Sequence, residues 1–138
     1  LFNYQHNALR RETMPRGTRK KPTPEMVEAI INACPYEGCD HDFCAPDNLD
    51  AVKEYSIKIT KSFGTHDGDY WEGIIYLGEK PIIHALNEGY GGPNNYYQLD
   101  GYDYSIVQQY KDDAKSAFPR LQFEPEEALT NFLDMCFQ

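Results

Sequence analysis

No uninterrupted apolar run approaches the roughly 18 residues that a membrane-spanning helix needs. No charged-then-apolar segment opens the chain, so the reading is of a cytoplasmic protein without a membrane partner. Positive charge is scarce: 13 Lys and Arg stand against 22 Asp and Glu, for a net charge of -9. The cations are also concentrated. Arg10, Arg11, Arg16, Arg19, Lys20 and Lys21 oppose only Glu12 in residues 1–21, which therefore carry +5 and leave -14 on the rest. An acidic body repels nucleic acid, so direct nucleic-acid binding is expected only through the basic stretch 10–21. The same acidity suits a partner protein with a basic surface, with steering that weakens as salt rises.

Catalytic signatures are missing as well. There is no Gly-x-Ser-x-Gly elbow and no His-Glu-x-x-His helix, and His6, His41, His66 and His84 are scattered without a paired nucleophile. A non-enzymatic protein is the expectation. The one hydrolase alternative uses His84, with Asp67 or Asp69 at the neighbouring turn and Glu88 beside it.

What is present is a small sheet. Tyr55, Ile57, Ile59, Lys61 and Phe63 alternate with Ser56, Lys58, Thr60 and Ser62, the pattern of a strand with one face on a core. The turn formers 64–69 lead into a second strand, Tyr70 to Leu77, and Gly78-Glu79-Lys80-Pro81 leads into a third, Ile82 to Leu86. Antiparallel pairing of consecutive strands predicts a meander, with a short fourth strand near Tyr96 to Leu99.

Helices flank it. Thr23 caps and Pro24 opens one whose face carries Met26, Val27, Ile30, Ile31 and Cys34, ending before Pro35. Asp47 is expected to cap a short helix from Asn48 to about Lys53, and Asp103 a longer one from Tyr104 to Ala117. An extended stretch, Arg120 to Phe123, precedes a helix started by Pro125-Glu126-Glu127, with Leu129, Phe132, Leu133 and Cys136 on its apolar side. The resulting fold class is α+β: an antiparallel three- to four-stranded sheet with helices packed on one face. Residues 1–22 read as a basic flexible arm before one domain, 23–138, and Met14 could itself be a translation start.

Two stretches could hold a ligand. In the first, Asn87-Glu88-Gly89-Tyr90-Gly91-Gly92-Pro93-Asn94-Asn95, glycine and asparagine exclude regular structure. Its amides could form an anion-binding concavity for a small phosphorylated ligand, with Tyr90, Tyr96 and Tyr97 available for stacking, although the lysine of a P-loop is missing. In the second, Cys34-x4-Cys39-x-His41-x2-Cys44 offers three thiols and an imidazole to a tetrahedral zinc, with Cys136 able to replace His41. The alternative is a set of small buried thiols at a helix end. Asp40, Asp42, Asp47 and Asp50 lack the glycine and the final glutamate of a calcium loop.

Gly78 and Lys80, then Asn87, Glu88, Gly89, Gly91, Gly92, Asn95 and Tyr96, form a strand-turn-strand segment ending in Asn-(Asp/Glu)-Gly-x-Gly-Gly. This resembles a group of small uncharacterised proteins encoded by phages and prophages. The resemblance implies an accessory protein of mobile elements, with no reaction attached. The functional expectation is an inhibitor that neutralises a host defence component through its acidic, tyrosine-rich surface and the glycine loop. Alternatives are a nucleotide-sequestering protein using residues 89–97, and a zinc-stabilised adaptor.

Overall fold

The computed structural model describes residues 21–137, so almost all of the basic arm lies outside the described residues. The elements are helix α1 (Pro24–Asn32), a 3-10 turn (Leu49–Val52), strands β1 (Tyr55–Thr65), β2 (Gly68–Leu77), β3 (Lys80–Asn87) and β4 (Asn95–Gln98), then helices α2 (Ser105–Ala117) and α3 (Pro125–Cys136). The four strands form one antiparallel sheet in sequence order, the meander expected from the turn spacing.

The sheet's inner face carries Tyr55, Ile57 and Ile59 from β1, Trp71 and Ile75 from β2 and Ile83 and Ala85 from β3. Against it pack Val107, Tyr110, Ala114 and Ala117 of α2, and Ala128, Leu129, Phe132 and Leu133 of α3. Full burial of each large side chain stabilises the fold by about 1.5–3 kcal/mol. Tyr110 meets Tyr55 edge to face, with ring centroids 5.1 Å apart, which adds a directional term to that burial.

A polar node closes the core where α2, α3 and β4 meet. The Thr130 hydroxyl donates to the Glu126 carbonyl at 2.7 Å, and the Tyr96 and Tyr110 hydroxyls lie 2.9 and 2.7 Å from it. A hydroxyl has one proton, so Thr130 accepts from both tyrosines. Burial holds both phenols well above their ordinary pKa, and they remain neutral donors.

The alternation read along β1 breaks at Thr60. Ile59 pairs with Gly73 but Lys61 pairs with Glu72, so the register shifts by one residue. Such a bulge sends every later side chain to the opposite face. Lys61 and Phe63, expected on the core face, therefore stand on the outer one, where the 48% exposed Phe63 stacks on Tyr70 at 4.6 Å. A second shift, between Ile75 and Tyr76, lets the adjacent Ile82 and Ile83 both be buried.

Three local expectations are corrected. Helix α1 has no fully buried residue: Thr23 caps it at 3.2 Å as expected, but only Val27 and Ile30 reach the margin of the core. Asp47 caps nothing, because Arg120 takes its carboxylate through contacts of 2.7 and 2.9 Å. Residues 120–123 are bends and a turn and not an extended segment, held as Lys115 donates to the Leu121 carbonyl at 2.6 Å.

Candidate functional site

Residues 33–48 have little regular structure, and their shape is set by a few specific contacts. The Cys34 amide donates to the Ile31 carbonyl at 3.2 Å as α1 ends, and the Cys39 amide to the Tyr36 carbonyl at 3.3 Å. Gly38 and His41 both adopt left-handed backbone, with φ of 74° and 61°, and fold the chain back on itself. At its far end the segment is tied down by Arg120, which donates to Asp47 and to the Asp40 carbonyl, and by the Asp47 and Asn48 amides, which donate to the Ala117 carbonyl.

This folding brings one ligand atom each from Cys34, Cys39, His41 and Cys44 within 4.8 Å of one another. A tetrahedral zinc with bonds of about 2.3 Å to sulfur spaces its ligands by just under 4 Å, so the set matches a Cys3His site with small adjustments. His41 Nδ1 lies 3.0 Å from Cys44 Sγ, and the His41 amide donates to Cys39 Sγ at 3.3 Å, an outer-shell bond of the kind that orients a thiolate ligand. Burial, with Cys34 and Cys39 close by, pushes the Cys44 thiol up to about 12. A divalent cation reverses that logic, since a coordinating thiol is deprotonated outright. Cys136 is not part of the set. It lies on α3 against the core, where burial alone pushes its thiol up to about 12.

Phe43, inside the same segment, lines a cleft of about 350 Å³. The remaining lining residues come from the glycine loop, from the β1–β2 hairpin, with Asp67, Asp69 and the almost wholly buried Trp71, and from α3, with Glu127 and Asn131. The loop is internally bonded. Asn87 accepts from the Gly89 amide at 2.9 Å and donates to the Gly92 carbonyl and to Asn94 at 3.1 and 3.0 Å, while Thr65 donates to the Gly89 carbonyl at 2.7 Å.

The predicted loop residues do not share one surface. Asn87, Gly89, Gly91 and Gly92 line the cleft, but Glu88 and Tyr90 line a separate groove with Phe63 and Tyr70. Pairing of Ala85 with Tyr96 and of His84 with Tyr97 sends Tyr96 to the inner face and leaves Tyr97 53% exposed on the outer one. The Tyr96 hydroxyl is engaged with Asn94 at 3.1 Å as well as with Thr130, which leaves its ring a core element and no stacking platform. Asn95 pairs with Leu86 in the sheet. His84 reaches neither Asp67 nor Asp69; it meets Glu72 across the strands at 3.1 Å.

Glu127, Asn131 and Trp71 line the cleft although no motif in the sequence marks them. The only sequence signal is the acid density of Glu124, Glu126 and Glu127, and Pro125-Glu126-Glu127 reads equally well as a helix start. In the structure burial first, then Glu124, pushes the Glu127 carboxyl up to about 7 from 4.5. Between those values the unfolded chain has lost a proton that the folded protein keeps, so this group's contribution to stability falls as pH rises through that window and is flat above it. Glu127→Gln is therefore expected to stabilise the protein at pH 8 by about 1 kcal/mol, after allowance for solvent screening of a partly exposed group, and by nothing at pH 4. Thermal unfolding of both proteins at the two pH values measures this, and an equal gain at both would show that charge is not the cause.

The fold and site define a small α+β domain with a Cys/His cluster that could hold a metal ion such as zinc. Comparison with protein-family models, with curated proteins and with solved structures finds no match to this chain. Among the described residues no helix is long and apolar enough to cross a membrane.

Proposed function

We propose that this protein is a non-enzymatic binding module whose segment 34–44 is held in shape by one structural zinc ion. The observation that carries the reading is the convergence of Cys34, Cys39, His41 and Cys44, four soft ligand atoms within 4.8 Å. All four side chains are partly covered, as suits a closed structural site whose coordination is completed by the protein. The metal's work here is to fix an irregular segment that has few backbone bonds of its own, and with it Phe43 at the cleft.

The partner that fits the acidic body is a protein with a basic surface, and the resemblance to phage accessory proteins makes the neutralising of a host component the biological setting. A phosphorylated ligand draws less support, because the Gly89 amide is already taken by Asn87 and the cleft walls carry Asp67, Asp69 and Glu127. The test is native mass spectrometry of protein purified without chelator or added metal, beside its denatured mass. The expected difference is one zinc less the protons released by its thiolates. Equal masses in a protein that also fails to take up cobalt, with its thiolate absorption bands, would reject the zinc reading.

A further inference from the structure

We propose that the cysteine cluster is also a reversible oxidation switch, in which a peroxide joins Cys44 to Cys34 as a disulfide and takes the metal site apart. The inference rests on the zinc-held reading of segment 34–44 for its consequence, the release of zinc, and not for the disulfide itself.

The ligand atoms of Cys34, Cys39, His41 and Cys44 lie within 4.8 Å of one another, and an S–S bond is about 2.05 Å long, so less than about 3 Å of closure joins two of the sulfurs. The segment can supply that movement. It runs through turns and bends between α1 and the 3-10 turn, so no helix or strand ladder has to break. Each of the three thiols is partly exposed, which lets a small oxidant reach them with the core intact. The Cys44 thiol lies beside both the Cys34 and the Cys39 thiols and is common to both pairs. Cys39 is the less available partner, because its sulfur accepts from the His41 amide at 3.3 Å, a bond that pairing would weaken. That leaves Cys34, just past the end of α1.

The chemistry balances with hydrogen peroxide as the oxidant. The Cys44 thiolate attacks one peroxide oxygen, the O–O bond breaks, and the departing hydroxide takes a proton from solvent to become water, leaving a sulfenic acid on Cys44. The Cys34 thiolate then attacks the Cys44 sulfur, the S–S bond forms, and a second hydroxide leaves and is protonated to water. The two sulfurs lose two electrons between them, and the peroxide gains them. Cys39 and His41 remain, two ligands where a closed tetrahedral site takes four, so the zinc is released. Segment 33–48 then loses the constraint on Phe43, while the core between the sheet, α2 and α3 stays folded. A dithiol reductant reverses the step by attacking the disulfide.

The experiment treats the zinc-loaded full chain with a small excess of hydrogen peroxide, follows released zinc with a chromogenic chelator, and maps the product by mass spectrometry. Digestion at acidic residues suits the mapping, because Glu37 separates Cys34 from Cys39, and Asp40 and Asp42 separate Cys39 from Cys44. The expected product is two hydrogens lighter, with Cys34 crosslinked to Cys44 and zinc lost in step with the crosslink. Burial keeps the Cys136 thiol protonated, so it should react at least roughly tenfold more slowly than the pair. Dithiothreitol and added zinc should restore the starting mass and metal content. Cys136→Ala should behave as the parent does, and Cys44→Ser should form no crosslink within the segment. Retention of zinc with all thiols intact, oxidation to sulfinic or sulfonic acid without a crosslink, or a crosslink through Cys39, Cys136 or a second chain would overturn the proposal. Zinc content of the untreated sample separates the two readings. One zinc without the crosslink rejects the switch alone, and the Cys34–Cys44 crosslink in protein that never held zinc rejects the structural metal alone.

Discussion

If the Cys34, Cys39, His41 and Cys44 cluster holds the proposed zinc, a strong chelator is expected to lower the protein's unfolding midpoint by about 10 °C. A ligand bound only by the folded state stabilises it by about 4 kcal/mol when its free concentration is a thousandfold above its dissociation constant. For a chain of this length each kcal/mol moves the midpoint by about 2–4 °C. The binding free energy available to a structural zinc, about 10–16 kcal/mol in small peptides at neutral pH, is more than sufficient. Most of the loss should be local. Segment 33–48 is fastened at one end by α1 and at the other by Arg120 with Asp47, while the core residues between the sheet, α2 and α3 make no use of the metal. Amide exchange should therefore rise first around Cys39 and His41, with the β2–β3 pairing still protected. Cys44→Ser should reproduce the chelated midpoint and make it insensitive to chelator. If thiolates and a neutral imidazole hold the proposed metal, acid should release it, and the protein should lose this stabilisation as pH falls. An unchanged midpoint after verified zinc removal would show that the cluster does not support the fold.

Gly89→Ala should cost about 3 kcal/mol, while Gly91→Ala, two residues away, should cost only about 1. Both glycines have φ of 82°, so both substitutions incur the left-handed backbone penalty of roughly 1–2 kcal/mol. Their surroundings differ. A Cβ at Gly89 would lie 2.9 Å from Thr65 Cγ2 and 3.0 Å from the Tyr70 amide nitrogen, whereas at Gly91 nothing lies within 4 Å. The Tyr70 amide belongs to β2 and cannot yield without disturbing the hairpin. Thr65 cannot rotate freely either, since its hydroxyl lies 2.7 Å from both the Gly68 and the Gly89 carbonyl, where it donates to one of them, and it accepts from the Asp67 amide at 3.3 Å. Urea unfolding of the two variants reads the difference directly. Similar losses at both positions would mean that backbone strain alone matters and that the loop does not pack on the hairpin as described.

Much of this architecture follows from short-range pattern. Tyr55, Ile57 and Ile59 alternate with polar neighbours, Thr23-Pro24 and Pro125-Glu126-Glu127 mark helix starts, and the turn at Gly78 separates two strands, because side-chain period and turn chemistry act over a few residues. The same alternation misplaced Lys61 and Phe63. Whether Thr60 is accommodated as a bulge depends on how β1 pairs with β2, and that energy lies in contacts with residues such as Gly73, whose missing side chain leaves room for Ile57 and Ile59.

The candidate sites divide in the same way. The amino-acid sequence by itself determined that three thiols and an imidazole occur within one short stretch, that the body is acidic, and that an irregular loop lies within residues 87–95, whose two end residues the structure gives to β3 and β4, since each is a matter of composition and local backbone preference. Only the tertiary structure decided that Cys34, Cys39, His41 and Cys44 converge while Cys136 faces the core, that Tyr96 and Tyr97 part to opposite faces, and that Asp67, Asp69, Glu127 and Asn131 share one cleft. Sequence separation carries no information about which acid at a helix start faces which turn. That choice is made when burying the inner faces of the sheet and of α2 and α3 fixes where α3 begins, and the polar groups at its edge are carried into place by apolar packing that is indifferent to their charge.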